Sequence, residues 1–528
     1  MSMATPTVQR ALGSIPRGEA FLSMSDQIQF QTLIHLLRVL VSVAFLPLDN
    51  TILVVVYLAN YAGTLSSPAN ALRRRRQALQ DVHFYPKTIL VSGVNTAHGL
   101  AVARSWYLHG HRVVGADVIT DDRPTPPSGE SMSTALTVCY RIPQSQYVSR
   151  LLDIVQREKV DLWVPCSSET SPADDAVAKE VLESRTPCKC IHLDPELARR
   201  FSDPDLFAQF LAEKDLPAVE RHQVQSRDSI HRILHRSPSK VFRLRKSTAG
   251  SGTVRSYSNE DGDSLILPKR TLSLTYSQVS EVPISKENPW VLQQQTRLGE
   301  FRAELLVVRG QVQAIRVLRS GGDSHRQGPS RLDGGLATAI HKLMDQLATK
   351  GGPRMTTHLT VQLHVDEQFE ANSVRYVVHI AGCKLGASAV AHLLQDGSST
   401  SLITGYLSLL SPCTTTSLCR EGGDRSQDQA QQQDKEEEVA TIYTEKTRRF
   451  SLYRLVRSYD VRRVLPALYP ACEHLDDWAH READRLLFWN NWRFSPFDPL
   501  PWWWHVHVQQ PLEEVGSLLG GGESFKTK

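Results

Sequence analysis

The hydrophobic pattern after residue 87 alternates between short apolar runs and longer segments with helical periodicity. Thr88–Val91 and Arg112–Asp117 are compact apolar runs that predict buried strands, and Gly93 and Gly110 bound a helix between them. A helical repeat follows over Tyr147–Lys159. Strands alternating with helices predict a parallel α/β layer, because parallel strands are joined by crossover helices. Two further strands are predicted, at Asp161–Pro165 and Cys190–Leu193.

The pattern changes near residue 241, where strands follow one another with few helices between them. Ala303–Val308 and Val312–Ile315 flank a tight turn at Arg309 and Gly310, which predicts a hairpin. Leu336–Leu347 has helical periodicity. The other predicted strands are Val241–Leu244, Trp290–Gln293, Leu359–Leu363 and Tyr376–Ile380. The second half is therefore an α+β unit that follows an α/β unit.

An apolar run near the N-terminus, from Leu40 to Tyr61, is about long enough to cross a bilayer core. Pro47, Asp49 and Asn50 interrupt it, which leaves both a spanning and a surface-lying segment open. The basic cluster at residues 73–76 is typical of the cytosolic side of a membrane. The run begins too deep for a cleavable signal. We expect a membrane-associated protein with its catalytic domain in the cytosol.

These patterns divide the 528 residues into seven segments. Residues 413–445 are rich in Gln, Asp and Glu and lack the apolar content that a core requires. The predicted segments are a flexible leader (1–33), an apolar membrane segment (34–65), a basic linker (66–86), an α/β domain (87–195), an α+β domain (196–412), the acidic and Gln-rich insert (413–445) and an aromatic-rich C-terminal extension (446–528).

A glycine-rich turn after a lysine is the strongest candidate for chemistry. Lys246 precedes Gly250, Ser251 and Gly252, a composition that allows backbone N–H groups and an ammonium to close over phosphates. An ordinary glycine turn with a solvated lysine is the alternative. Downstream, the Trp290–Gln293 strand continues into Gln294 and is followed by Glu300, so Gln293 and Gln294 are placed to border a base and Glu300 a ribose. Together these features predict a nucleotide held between two sheets.

Composition restricts the remaining function classes. The net charge of +4 gives no support for binding to nucleic acid. The eight cysteines are widely spaced, and Cys188 and Cys190 lack a second pair with zinc-site spacing. Reduced cysteines in a cytosolic domain are expected.

The order of these parts resembles the ATP-grasp ligases, and within them the mycosporine-glycine synthase-like enzymes of fungal natural-product clusters. The resemblance is carried by the apolar N-terminus with its basic cluster, the Ile89–Gly93 strand and turn, and the Asp498–Pro501 run before Trp502. It also includes the glycine-rich turn with Gly250, Ser251 and Gly252, here called the flap. It implies an ATP-grasp fold after a pre-ATP-grasp layer, with ATP and Mg²⁺ (or Mn²⁺) as cofactors. It also implies an amino acid and a small acid or cyclohexenone as substrates, and it is compatible with a homodimer.

The implied metal site departs from the family pattern. The family carries an Asp on one strand and Glu-x-Asn on the next, oxygen ligands suited to Mg²⁺. Asp366 matches the first position, but His379 and Ala381 stand at the other two, and Pro204 replaces a phosphate-binding lysine. The predicted metal ligands are thus Asp366 and His379. The other candidates to complete the site are Glu367, His364 and Glu304.

Further candidates and alternatives remain open. Arg316 and Arg319 are predicted to meet a substrate carboxylate or phosphate, with solvated strand charges as the alternative. His505 and His507 have a spacing compatible with a metal, although structural packing is favoured. A catalytically degenerate, membrane-tethered pathway partner competes with the ligase. A nicotinamide-dependent reductase is a third hypothesis, based on Gly93, Gly99 and Asp117, but the full dinucleotide-binding glycine spacing is absent.

Overall fold

The computed structural model describes most of the chain, with several gaps. The described residues are 24–66, 71–120, 126–237, 240–246, 265–268, 271–284, 290–296, 298–320, 333–370, 373–395, 400–411 and 491–519. The statements below concern these residues. Gly250, Ser251 and Gly252 of the predicted flap and the acidic insert lie outside them.

A five-stranded parallel sheet with the order β3-β2-β1-β4-β5 forms the first layer. Its central strands are fully buried and apolar, as expected when helices cover both faces. The predicted Cys190–Leu193 strand is reduced to two residues, and one strand at the edge of the sheet was missed. The strands are β1 Thr88–Ser92, β2 Arg112–Ile119, β3 Val138–Pro143, β4 Leu162–Pro165 and β5 Lys189–Cys190.

Helices α3 Ala97–Leu108, α4 Tyr147–Glu158 and α5 Pro172–Arg185 connect these strands. Thr96 caps α3 by accepting from the amide of Gly99. Ser171 and Asp174 form a capping box at the start of α5. The predicted α/β layer is confirmed.

Two antiparallel four-stranded sheets follow. The small sheet has the order β6-β9-β7-β8, with α8 Arg227–Arg236 and α9 Leu272–Glu281 beside it. Phe242, Leu292 and Trp290 contribute to the buried cluster of this unit. The strands are β6 Arg221–Val224, β7 Val241–Lys246, β8 Leu265–Leu267 and β9 Trp290–Gln295.

The large sheet has the order β11-β10-β12-β13 and covers the largest described core on one face. Alternate residues of β10, including Phe301, Ala303 and Leu305, point into that core. The strands are β10 Gly299–Val308, β11 Gln311–Ser320, β12 Thr357–Glu370 and β13 Ser373–Leu385, and the contributing helices are α6 Pro195–Ser202, α7 Pro204–Glu213 and α10 Gly334–Gly351. The predicted α+β unit is therefore confirmed, and the order of parts is the one implied by the ATP-grasp resemblance.

The first and the last described segments of the chain pack against each other. Helix α1 Met24–Ser66 contains the apolar run and precedes α2 Ala71–Gln80. Residues 491–519, here called the C-terminal arm, contain α13 Leu500–Trp504, a π-helical turn and α14 Gln510–Leu519, which packs against α1. Helices α11 Ala391–Gln395 and α12 Thr400–Leu410 lie between the large sheet and α3.

Candidate functional site

The two antiparallel sheets meet at a corner built from residues 217–220, Thr296 and Leu298. The amide of Val219 donates to the carbonyl of Ile380 on β13 at 2.8 Å, while the amide of Gln294 on β9 donates to the carbonyl of Glu220 at 2.9 Å. The amide of Leu298 donates to the carbonyl of Val365 on β12 at 3.2 Å. The strand predicted to border a base is thus linked, through residues 218–220 and Leu298, to β13 and to β12, which carries Asp366.

The face of the large sheet opposite the core is polar near this corner. Antiparallel register pairs Glu300 with His364 and Arg302 with Gln362, so these residues share one face. His364 also pairs with His379 on β13. The side chain of Glu300 is 43% exposed, and its Oε1 lies 3.9 Å from His364 Nε2. Predicted acidic and imidazole groups from three strands are therefore collected on one surface.

Asp366 and His379, the predicted metal ligands, lie on this face. Asp366 is half-buried, and its Oδ1 accepts from the amide of Glu367 at 3.1 Å. Burial, followed by the positive charge of Lys240, lowers the pKa of His379, while Asp366 and a hydrogen bond to the Ala218 backbone oppose that shift. Lys240, which directly precedes β7 of the small sheet, therefore brings a positive charge close to this face.

The donor set fits magnesium at one position. Asp366 offers the kind of carboxylate that Mg²⁺ combines with substrate phosphates. His379 offers an imidazole, which is a weak match for Mg²⁺. Among the described residues, no group of three or more His, Cys, Asp or Glu side chains is arranged to hold a metal ion. The ligand roles of Asp366 and His379 therefore stay predictions.

Glu304, a candidate to complete the metal site, makes structural contacts with α11 instead. Its side chain is fully buried, and its carboxylate accepts from His392 Nδ1 and the Leu393 amide, both at 2.8 Å. Arg302 Nε lies 3.7 Å away. These contacts join the large sheet to α11, so Glu304 acts as a structural anchor in this arrangement.

On the small sheet, the residues predicted to bind the nucleotide do not lie together on one face. Gln293 and Gln294 point to opposite faces, because neighbours along a strand alternate, and Gln294 is buried on the face covered by helices. Gln293 pairs with Arg221 and Arg243, whereas Lys246 pairs with Trp290 at the far end of β7. Arg221 and Arg243, rather than Lys246, are thus the basic residues directly beside Gln293.

Within the described part of the chain, the buried atoms Arg243 Nε, Gln295 Oε1 and Arg302 Nε have no hydrogen-bond partner. Buried polar groups in native proteins are almost always satisfied, so atoms of this kind mark a place where a ligand or water belongs. Arg243 and Gln295 were not predicted as site residues. The available signal was the alternation of Arg243 and Arg245 with apolar residues along β7, which gives that strand a basic face.

Arg316 and Arg319, the predicted substrate-binding arginines, are not brought together. Arg316 pairs with Glu304 on the polar face, and its guanidinium donates to the carbonyl of His392. Arg319 pairs with Phe301 on the other face, and its guanidinium lies 6.0 Å from the ring of Phe301. A single substrate carboxylate does not reach both guanidinium groups in this arrangement.

The turn after β1 does not offer a dinucleotide site. Asp117 is buried, and its two carboxylate oxygens accept from the Asn95 amide at 3.0 Å and from Ser128 Oγ at 2.8 Å. Burial raises the pKa of Asp117 despite these hydrogen bonds. Both oxygens that would bind a ribose are therefore already engaged inside the protein.

The paired histidines of the C-terminal arm have structural partners, as predicted. His507 Nε2 lies 2.9 Å from Asp49 of α1, and His505 Nδ1 lies 3.1 Å from Gln509 Oε1. Trp502 is fully buried. The prediction of packing roles for this region is confirmed.

A cavity of about 490 Å³ lies away from the corner, between α3 and residues 492–497 of the C-terminal arm. Its lining includes Ala101, Ser105, Phe494 and Phe497. Arg104 also borders it, but the guanidinium is bound to Asp498 at 2.9 Å. The cavity shares no lining residue with the nucleotide site predicted from the sequence.

No protein-family model and no curated protein matches the sequence. Solved structures with likeness include N5-carboxyaminoimidazole ribonucleotide synthetase from Thermotoga maritima, at 11% identity over 60% of this chain and 76% of that chain, with a TM-score of 0.37. Biotin carboxylase from Campylobacter jejuni, in a complex with β,γ-ATP, gives 12% identity, 60% and 71% coverage, and a TM-score of 0.36.

The biotin carboxylase domain dimer of Hydrogenobacter thermophilus 2-oxoglutarate carboxylase, solved with MgADP, ADP and bicarbonate, gives 12% identity over 59% of this chain and 69% of that chain, with a TM-score of 0.36. Likeness at these scores does not fix a function. Any assignment therefore depends on the geometry of the corner between the two antiparallel sheets.

Proposed function

We propose that this protein is an ATP-dependent ligase that joins the amino group of an amino acid to a small acid or a cyclohexenone, in fungal secondary-metabolite biosynthesis. The observation that carries the proposal is the corner itself. There β9, β10 and β12 meet, and Arg243, Gln295 and Arg302 keep buried polar atoms without partners. Cationic and amide groups of this kind suit the phosphates and base of a nucleotide.

The reaction has two balanced steps. An oxygen of the acid or enolised ketone takes the terminal phosphoryl group of ATP, which releases ADP and leaves an acyl- or enol-phosphate. The nitrogen of the amino acid then attacks the activated carbon, phosphate departs, and the amine loses a proton. Mg²⁺ would supply charge neutralisation at the phosphates, held on the protein side by Asp366.

In this proposal, residues of this chain bind the nucleotide and balance its negative charge. Lys240 offers positive charge near the corner, and Arg302, 3.7 Å from Glu304, keeps a buried Nε without a hydrogen-bond partner. Glu220 accepts hydrogen bonds from Lys240 and His222, and these lower its pKa although burial opposes the shift. Glu220 therefore holds Lys240 in position beside His379. Gln293 and Glu300 remain the proposed contacts for base and ribose.

The test is release of ADP and phosphate that depends on an amino acid and a carboxylate or cyclohexenone acceptor. Asp366→Asn is expected to lower the turnover by about 100-fold or more, because a charged metal ligand is lost. Asp345→Asn is the matched control, since Asp345 is exposed on α10 and contacts His341. A wild-type protein that shows no thermal stabilisation by ATP with Mg²⁺ or Mn²⁺ would contradict the proposal.

A second candidate is a catalytically degenerate relative that acts as a membrane-tethered partner of an active pathway enzyme. It is favoured by His379 and Ala381 at the two remaining metal positions, with the cation Lys240 nearby. The double variant His379→Glu with Ala381→Asn is then expected to raise the affinity for Mg-ATP sharply. Turnover by the wild-type protein would exclude this candidate.

We also propose that the protein associates with a membrane through residues 34–65 and keeps its catalytic domain in the cytosol. The support is the run His35–Tyr61, with a mean hydropathy of 2.2 and only 11% of its most apolar window buried. Co-flotation of the full chain with lipid vesicles tests the association. A homodimer is also expected, and light scattering of the detergent-solubilised protein measures it.

A further inference from the structure

Helix α1 has its polar side chains turned toward the protein. Six polar residues along α1 contact the C-terminal arm, and we call them the polar seam. Ser42 donates to the carbonyl of Val506 at 2.8 Å, and Asp49 contacts His507 Nε2 at 2.9 Å. Both are buried, at 2% and 3% exposure. The members of the seam are His35, Arg38, Ser42, Asp49, Asn50 and Asn60.

The outward face of α1 is apolar over the same length except at Thr51, whose hydroxyl donates to the carbonyl of Pro47 at 2.9 Å. Leu40, Val43, Val54, Val55 and Leu58 are 56–62% exposed. Asp49 is the single charged residue between Leu40 and Tyr61, and it belongs to the polar seam. A helix on a water-facing surface has the opposite arrangement, with its apolar stripe against the core. This inverted polarity fits a helix whose outer side meets hydrocarbon.

The pairing with the arm extends along the whole apolar run. The two segments are antiparallel, because Arg38 meets Glu514 at 3.0 Å at one end and Asn60 meets the carbonyl of Pro496 at the other. The arm in turn is fixed to the α/β layer. Asp498 binds Arg104 of α3 at 2.9 Å, and Gln509 accepts from the amide of Gly129 at 2.8 Å.

This attachment decides the orientation of α1. A helix crossing the bilayer would take the arm with it, including the charged Glu513 and Glu514 and the protein surface to which the arm is bound. Charged groups of that kind are strongly disfavoured in hydrocarbon. A helix lying in the interface needs only its outward face to enter the acyl region.

We propose that α1 lies in the plane of the bilayer, with its outward face among the acyl chains and its polar seam clamped by the C-terminal arm, and that it does not cross the membrane. This inference rests on the membrane association proposed above and makes it more specific. Arg73 and Arg76 of α2 are exposed shortly after α1, a charge that complements anionic headgroups. The occupant of the outward face is thus a bilayer containing anionic lipid.

The first experiment measures topology in the full chain, carrying one epitope before residue 24 and a second after residue 519, inserted into sealed microsomes. In-plane binding leaves both epitopes open to added protease. Protection of one epitope and not the other would show a spanning helix and overturn this inference while leaving membrane association intact. Ligase activity is not a readout here, so a catalytically silent protein gives the same answer.

The second experiment measures flotation on phosphatidylcholine vesicles with and without phosphatidylserine. Leu40→Asp with Val55→Asp is expected to reduce the floated fraction at least tenfold, with an unchanged thermal unfolding midpoint. The control pair is Val177→Asp with Leu274→Asp, exposed apolar residues on α5 and α9, and it should float as the wild type does. Absence of flotation by the wild type would overturn both proposals, as would a lipid-free dimer of the Leu40→Cys variant, joined by a disulfide at that position, that does not float.

Discussion

Glu304 shows at the scale of a single residue how the polar face of the large sheet is held. Its fully buried carboxylate takes hydrogen bonds from His392 and the Leu393 amide, and Arg302 stands nearby. Removing one partner of a buried charged group leaves the others without compensation. We expect Glu304→Ala to lower the free energy of unfolding by about 3–5 kcal/mol. Urea unfolding measures this, and Glu300→Ala, at a 43% exposed position, should change stability by under about 1 kcal/mol.

Buried histidines give a second residue-scale prediction. Burial lowers the pKa of His192 to about 4 and that of His358 to about 3. The unfolded chain therefore binds protons first, at about pH 6.5, and stability falls as the pH drops below that value. Each of the two histidines should lower the free energy of unfolding by about 1.4 kcal/mol for every pH unit below about 6.5, until the pH reaches the pKa of that histidine in the folded protein.

Asp175 opposes this trend, because burial raises its pKa to about 7. Its folded carboxyl holds a proton that the unfolded chain releases near pH 3.8, so its contribution is lost as the pH rises through about 7. Comparing unfolding free energies of the wild type, His192→Gln and Asp175→Asn across this range separates the two effects. If the free energy of unfolding of His192→Gln changes with pH as steeply as that of the wild type, His192 does not contribute to the loss of stability at low pH.

The candidate site was only partly predictable at this scale. Glu300 and Gln293 were predicted from strand order and Asp366 from the ATP-grasp resemblance, and all three lie at or beside the corner. Arg243 and Gln295 were missed, because a buried atom without a partner is a property of packing that no local pattern records. The pairing of Arg316 with Arg319 failed because residues three apart on a strand point to opposite faces.

The turn between β1 and α3 carries the element-scale prediction. Gly93 has a φ of +76°, and a Cβ there would lie 2.4 Å from the Ser167 backbone. Gly386 has a φ of +95° but open space around its Cα. We expect Gly386→Ala to cost about 1 kcal/mol from backbone strain alone. Gly93→Ala should cost about 3 kcal/mol or more, since the end of β4 must also shift.

Thermal unfolding of the two glycine variants measures the difference. Equal losses in Gly93→Ala and Gly386→Ala would show that the close approach of β1 and β4 is not what fixes this turn.

Elements with a strong apolar period were predicted well, and those on the outside were not. β1, β2, β10 and β12 all overlap predicted strands, although β12 is much longer than predicted, because burial on both faces or strict alternation leaves a clear pattern. β3 was missed because it is a half-buried edge strand containing the exposed Arg141. Its position follows from pairing with β2, a long-range interaction that the local sequence does not encode.

At the scale of the whole molecule, Asp498 ties the C-terminal arm to the α/β layer. Its fully buried carboxylate accepts from Arg104 Nε at 2.9 Å, Ser133 Oγ at 2.6 Å and the Thr134 amide at 2.8 Å. We expect Asp498→Ala to lower stability by about 3–5 kcal/mol, because Arg104 is left buried without its partner. Limited proteolysis should then cut within residues 491–499 faster than in the wild type, whereas Asp345→Ala should leave the cleavage pattern unchanged.

The clamp between α1 and the C-terminal arm also sets an order of events during synthesis. Asn60 and Pro496 touch in the folded protein but are 436 residues apart in the chain. At about 5–20 residues per second, the helix leaves the ribosome roughly 20–90 s before its partner exists. During that interval Asp49 and Ser42 have no arm to bind, so lipid or a chaperone must shelter the nascent helix. A chain that ends at a premature stop codon before residue 496 would never form the arm, and its α1 would stay bound to that lipid or chaperone.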